Sequence, residues 1–469
     1  MSMLVRVGVV LIAGALTLAA QDPSVAFRDP VIALEHVRVI DGTGATGRAD
    51  ETLVIDHGKI SALGPASSVA VPPSARVLDL KGYTIYPGLV GMHEHLFYPA
   101  PDNGGLPVYN EIPFTAPRLY LASGVTTMRT AGSMEPYADI NLKQLIDKGV
   151  AGPEIDATAP YIQGPGGFSF QMPVIHSADE ARRFVDYWAS AGATSFKAYM
   201  NLSHDALAAA IEEAHRHKLK ITGHLCAVGF TEAAELGIDD LEHGLLVDSE
   251  FTPGKQQDAC PNQKQSMDAV RKLDVNGPEL QKLIHTLVEH KVAVTSTLSV
   301  FEAFIPGRPP LTQRMLEVLA PQAATNYLAS KEQTSARGSD FAPLLKKEME
   351  FERAFVAAGG LLLAGCDPTG NGGALPGFGD QRNLELLVEA GFTPEEAIHI
   401  YTQNGAEYLG RADRIGTLAP GKQADIVVVE GNPSERIADV EKVKWVFRNG
   451  VGYDSARLID SVRGLVGME

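Results

Sequence analysis

Cysteine is scarce in this chain: its 469 residues include only Cys226, Cys260 and Cys366. Three thiols exclude a disulfide-dense scaffold, and they leave one Cys226–Cys260 bridge as an option that the sequence does not decide. Positive charge is also short. There are 40 Lys and Arg against 57 Asp and Glu, a net charge of −17, which argues against a nucleic-acid partner because phosphate binding needs clustered cations. No apolar run after the first twenty residues is long enough to cross a bilayer, and no internal repeat or low-complexity tract is evident. What is present is a globular composition, 45% hydrophobic and 21% charged, in a chain longer than one ordinary compact domain.

The first twenty residues stand apart. "MSMLVR" carries one positive side chain, and "VGVVLIAGALTLAA" is an apolar run ending in small residues. This is the pattern of a secretory signal over residues 1–20, processed near Ala19 or Ala20. The run is short of the roughly 20 apolar residues of a membrane span, so a periplasmic or secreted protein is expected, with no membrane association once the signal is removed.

Residues 31–81 and 413–469 hold short alternating apolar runs such as "ETLVIDHGKISALG" and "ADIVVVEG", which read as strands and hairpins. Each end segment is too small to bury a core alone, so the two are expected to form one small β-sandwich domain, with a helix at the extreme C-terminus. That helix has two uses open to it: covering the β domain or making a homo-oligomer contact.

Between them, over residues 82–412, strand-like runs alternate with helical ones. "LVGMHEH", "GVTTMRT", "EIDATAP", "TSFKAYM", "KITGHL", "DDLEHG", "VAVTSTL" and "GLLLAGCD" are eight such runs. Helical segments such as "HDALAAAIEEAHRHK" and "GPELQKLIHTLVEH" separate many of them. The expected fold is α/β, a (β/α)₈ barrel. Its surplus length falls in "LLVDSEFTPGKQQDACPNQKQ" and in residues 301–350.

"YPGLVGMHEHL" places His93 and His95 two apart, on one face of a strand, where both can meet one ion. Alone the pair says little. Lys197, His224, His243 and Asp367 lie at or near the ends of other strand-like runs, and in a barrel such ends converge on one mouth. Four imidazoles, a lysine and a carboxylate gathered there would be costly to bury unless paired or bound to metal. An ammonium beside two cations would be repelled, so Lys197 is expected to lose its proton and react with carbon dioxide, giving a carbamate able to bridge two metals. The alternative is a Lys197–Asp367 ion pair without a second metal.

The chain resembles the metal-dependent amidohydrolase superfamily, in the branch of imidazolonepropionase-like proteins, Xaa-Pro and Xaa-Arg dipeptidases and ochratoxin-hydrolysing amidases. The likeness runs from about residue 31 to 450 and rests on "YPGLVGMHEHL", "GVTTMRTAG", "FKAYM", "GHL", "LEHG", "AGCDPTG", "GFTPEEAIHIYTQNGAEYLG" and "GTLAPGKQADIVVVEGNP". It implies that His93, His95 and Asp367 hold one divalent ion, that His224 and His243 hold another, and that a Lys197 carbamate bridges the two. A hydroxide shared by the ions would attack the scissile carbonyl, and Asp367 would serve as general base and then general acid. Nitrogen and oxygen donors without thiolate suit zinc.

Three positions depart from the family pattern: Cys226, two after His224, where many relatives have a second histidine; Thr130 after Arg129, where aspartate is usual; and Cys366 before Asp367, where threonine is usual. Tyr199, on the same face as Lys197, is a candidate substrate contact. Arg129 and Arg382 are candidates for binding a substrate carboxylate, although structural ion pairing is the commoner use of such residues. Glu94 should point away from the ions, and His215 and His217 should be solvated. The expected activity is hydrolysis of an amide or peptide-like C–N bond in a small substrate, a dipeptide or N-acyl amino acid. Esters, lactones and cyclic amides are the alternative substrates, a mononuclear deaminase is the alternative enzyme, and a silent metal-binding protein is the alternative outside catalysis. Deaminases of the superfamily commonly carry a glutamate three residues after the fifth-strand histidine, where this chain has Ala227.

Overall fold

The structure is a computed structural model that describes residues 22–99, 108–167, 169–369 and 374–468. The secretory signal expected over residues 1–20 lies outside them. Among the described residues, no helix is long and apolar enough to cross a membrane.

All eight central runs contain strands: β1 (Leu89–Glu94), β2 (Val125–Thr130), β3 (Glu154–Asp156), β4 (Ser195–Met200), β5 (Lys220–Leu225), β6 (Asp240–Glu242), β7 (Ala293–Ser296) and β8 (Leu362–Ala364). Their buried apolar residues suit strands covered on both faces, the usual setting of parallel sheets. β1, β2 and β3 form one parallel sheet, and β4 to β8 form another in chain order. Backbone bonds cross both gaps between the sheets. The Ala159 and Ile162 N–H groups donate to the Ser195 and Lys197 carbonyls, and on the other side the Asp367 N–H donates to the His93 carbonyl at 3.0 Å. Gly365 permits that second approach, since a Cβ there would collide with the His93 backbone.

Helices cover the strands where the sequence predicts them. His204–Arg216 and Pro278–Glu289 follow β4 and β6. The helix Ala178–Ala191 is capped by Ser177, which accepts from the Glu180 N–H, and it ends at Gly192 in the left-handed region. The two surplus stretches supply the helix Gln263–Lys272, and the helices Gln313–Val318, Pro321–Arg337 and Ala342–Ala357.

The chain ends meet in one nine-stranded hydrogen-bonded sheet, in which eight strands form a path and the ninth, Arg76–Asp79, pairs beside it with Val31–Val39. His57 and Gly58, both at positive φ, turn its Arg48–Asp56/Lys59–Pro65 hairpin. The ends join through two antiparallel pairs, Val25–Phe27 with Val451–Asp454 and Tyr83–Pro87 with Ile426–Glu430. The sequence boundary at residue 82 is therefore corrected: Tyr83–Pro87 pairs with the C-terminal strands, and the change of sheet falls at Pro87-Gly88, a turn signal between the two strands. This end sheet packs over Ile32, Leu34, Leu53, Ile85, Ile426 and Phe447. The terminal helix Ser455–Ser461 packs on Thr115–Ala122, with the Ser455 hydroxyl donating to the Ala122 carbonyl at 2.7 Å. It thereby covers the helical layer of the central region.

Candidate active site

The six residues singled out in the sequence come from five parallel strands, Lys197 from mid-strand and the others at or near the C-terminal ends. His93 lies in β1 with His95 just beyond it, Lys197 in β4, His224 in β5, His243 directly after β6, and Asp367 three residues after β8. His243 (φ 70°) and Asp367 (φ 48°) hold left-handed backbone, uncommon for non-glycine residues and typical of positions fixed by function. Backbone bonds to Thr295 and His93 fix the two in place.

The side chains form one connected group. His95 Nε2 is 3.0 Å from Asp367 Oδ1 and His93 Nε2 is 3.5 Å from the same oxygen. Lys197 Nζ lies 3.1 Å from His93 Nε2. The His243 ring is 4.5 Å from that of His93 and 4.4 Å from that of His224. The oxygens of Asp367 that come within ion-pair distance of a base face histidines rather than Lys197, so the alternative Lys197–Asp367 pair is not formed.

Burial sets the charge state. It drives the His95 imidazole down to about 4 and the His224 imidazole to about 3, and it carries His243 well below its ordinary range. These rings are neutral at pH 7, with a lone pair available. Burial likewise lowers the Lys197 ammonium, although the negative charge of Glu242 and Asp367 opposes it. Burial alone would raise Asp367, but the neighbouring His93 charge and bonds from His93 and His95 hold it well below the carboxylate range.

This donor set fits divalent cations. His93, His243 and Asp367 form a candidate metal-binding group, with one ligand atom from each all within 4.8 Å of one another. His95 Nδ1 is buried without a hydrogen-bond partner among the described residues, a costly arrangement for a polar atom that has no further ligand.

Glu242, which the sequence reading missed, lies directly behind the group. It accepts from His93 Nδ1 at 2.6 Å, from Thr222 Oγ1 at 2.7 Å and from Arg129 at 2.8 Å. Its spacing from Asp240 in "DDLEHG", two apart on one strand face, was the available signal. Thr297 Oγ1 holds His243 Nδ1 at 2.8 Å, a partner that sequence spacing could not have supplied.

Two expected substrate contacts are corrected. Arg129 is fully buried, bound to the Met92 carbonyl, Asp240 and Glu242. Arg382 is bound to Glu302 and Glu385. Neither lines the cavity. Each has nearby carboxylates that satisfy the guanidinium internally. Tyr199 does line it, 4.9 Å ring to ring from His224 and 5.0 Å from Tyr161.

The departures from the family pattern also find places. Cys226 is bridged to Cys260, with their Cα atoms 5.0 Å apart, so the end of β5 is tied to the segment leading into Gln263–Lys272. Cys366 turns away from the cavity toward Glu94 and the Leu375 carbonyl. Glu94 also turns away, as expected, and burial beside Asp380 raises its carboxyl well above the usual range. His215 and His217 sit at the surface against Asp239 and Asp186.

The six residues form part of the wall of a cavity of about 710 Å³, completed by residues of both surplus stretches, among them Val247, Met267, Phe301 and Phe341.

Residues 339–451 match the Amidohydrolase family. A solved structure from Bifidobacterium longum assigned as a prolidase is 25% identical, with a TM-score of 0.66 over 92% of this chain and 99% of that one. A Xaa-Pro dipeptidase with methionine bound in its active site is 19% identical, with a TM-score of 0.66 over 90% of this chain and 100% of that one, a likeness of fold. Among curated proteins, the imidazolonepropionase of Porphyromonas gingivalis is 55% identical over 40 residues, 8% of this chain and 10% of that protein. The curated matches named for adenine deaminase and dihydroorotase span 9% to 23% of those proteins' lengths.

Proposed function

We propose that the chain is an exported, binuclear metal-dependent amidohydrolase that cleaves the amide or peptide-like C–N bond of a dipeptide or N-acyl amino acid. One observation carries the reading: four imidazoles, Lys197 and Asp367 converge from five parallel strands on one cavity. In this reading the two parallel sheets, with backbone bonds across both gaps, are one closed (β/α)₈ barrel whose active site occupies the usual C-terminal face.

His93, His95 and Asp367 would hold one ion and His224 and His243 the other, zinc being the metal that suits these donors. Bound there, the ions supply Lewis acidity toward the scissile carbonyl and toward a water molecule. The remaining work falls to the protein. Burial favours the free amine of Lys197, which adds to carbon dioxide, forming an N–C bond and releasing one proton, to leave an anionic carbamate among the histidines. Asp367, ionised and hydrogen-bonded by His95, is placed to take the nucleophile's proton and return it to the leaving nitrogen. Glu242 and Thr297 orient His93 and His243. The Cys226–Cys260 bridge supports export, since disulfides persist in oxidising compartments.

The test is turnover of N-acyl amino acids, dipeptides and lactones by zinc-loaded protein, with Asp367→Asn as control. Amide cleavage that falls by roughly 10²- to 10⁴-fold in the variant is expected. Unchanged turnover in Asp367→Asn contradicts the proton shuttle, and lactone turnover without amide cleavage contradicts the substrate class.

A further inference from the structure

Arg337 ends the helix Pro321–Arg337 of the second surplus stretch and lines the same cavity as the histidines. Its guanidinium makes no hydrogen bond or ion pair among the described residues. Other arginines of this region are paired: Arg308 and Arg382 with Glu302, and Arg314 with Glu441. The acid nearest in sequence, Asp340, is 3.1 Å from Arg271, and Asp367 is held at the histidines. Of the described Lys and Arg side chains on the cavity wall, Lys197 is buried among the histidines, which leaves Arg337 as the exposed cation.

An exposed arginine is ordinarily just solvated. Here its surroundings argue for more. A chain of aromatic rings on the wall of the same cavity starts at the histidines: His243 meets Phe301 edge-on at 5.8 Å, Phe301 stacks on Phe341 at 6.1 Å, and Phe304 lies 5.3 Å from Phe341. Phe341 follows Arg337 by four residues. A molecule reaching from the histidines to Arg337 would cross apolar ring faces and end at an unpaired guanidinium, a geometry that suits an apolar body bearing a carboxylate.

We propose that Arg337 binds the free α-carboxylate of the substrate's leaving amino acid, while that residue's large apolar or aromatic side chain packs on Phe301, Phe304 and Phe341. The inference rests on the amide-hydrolysis reading and narrows it to N-acyl amino acids and dipeptides with an unblocked, bulky apolar C-terminal residue.

Two assays on zinc-loaded protein separate this claim from the reading beneath it. In the first, wild type, Arg337→Ala and Arg337→Lys are compared on N-acetyl-L-phenylalanine and on its carboxamide, which lacks the charge. In the second, binding of L-phenylalanine and of L-phenylalaninol is measured by calorimetry, which needs no turnover. Arg337→Ala should lose roughly 10- to 100-fold in kcat/KM on the acid, mainly through KM, and a similar factor in L-phenylalanine affinity. The carboxamide and the alcohol should be unaffected, and Arg337→Lys should recover part of the loss. Arg337-dependent binding without cleavage of either acyl compound upholds the carboxylate site and refutes amide hydrolysis. Cleavage with no Arg337-dependent difference between acid and carboxamide, or no such difference in either assay, overturns the site.

Discussion

Glu242 Oε2 lies 2.6 Å from His93 Nδ1, and the other carboxylate oxygen is held by Arg129 at 2.8 Å. Both acid and imidazole are buried. A carboxylate behind a histidine fixes which ring nitrogen carries the proton and raises the basicity of the other, which is how outer partners tune a metal ligand. Burial would raise Glu242, but the adjacent Arg129 charge holds it well below the usual range, so it stays anionic.

Glu242→Gln keeps the shape and removes that charge. We expect a 10- to 100-fold loss of metal affinity in competition with a chelator, with a native circular dichroism spectrum. Unaltered metal affinity would make the Glu242–His93 contact purely structural.

Lys197 tests the bridging carbamate. Protein equilibrated with ¹³C-bicarbonate and zinc should show one labelled carbamate carbon by NMR, lost in Lys197→Ala together with activity. An active wild-type protein without that resonance excludes the carbamate.

The Cys226–Cys260 bridge closes a loop across a sequence separation of 34, for which chain entropy gives about 3–4 kcal/mol of stabilisation. Replacing both with serine should lower Tm by several degrees. KM should rise more than kcat falls, because the bridge joins two parts of the cavity wall. Equal melting of the two proteins under oxidising conditions would show that the bridge adds no stability.

Glu352 offers a pH test at a buried carboxyl outside the six proposed ligands. Burial pushes its carboxyl from 4.5 up to about 8 against a smaller opposing pull from Ser296. Over that window the folded protein keeps a proton that the unfolded chain has released. This group's contribution therefore makes stability fall as pH climbs from about 4.5 to about 8, and level off above. Glu352→Gln should flatten that slope in Tm against pH. A slope identical to wild type would show that Glu352 is not neutral in the folded state.

The eight central strands were legible because each is a short apolar run bounded by turns or helices. The six convergent side chains were legible because each sits within such a run. The Tyr83–Pro87 strand was misplaced because its partner lies more than 300 residues away, at Ile426–Glu430, and local pattern carries no sign of that pairing. Arg129 and Arg382 were misread for a related reason. A lone arginine in a motif looks free until Asp240, Glu242 and Glu302 are brought against it by the fold. Arg337 is the converse, an unremarked surface residue in sequence that the fold sets on the cavity wall without a partner.

The central claim is that these six side chains hold two cations. Elemental analysis of purified, catalytically active protein measures this most directly. The account predicts about two equivalents of divalent transition metal per chain, falling together with activity when His224 and His243 are replaced by alanine. Full activity in protein that contains no stoichiometric metal would contradict it.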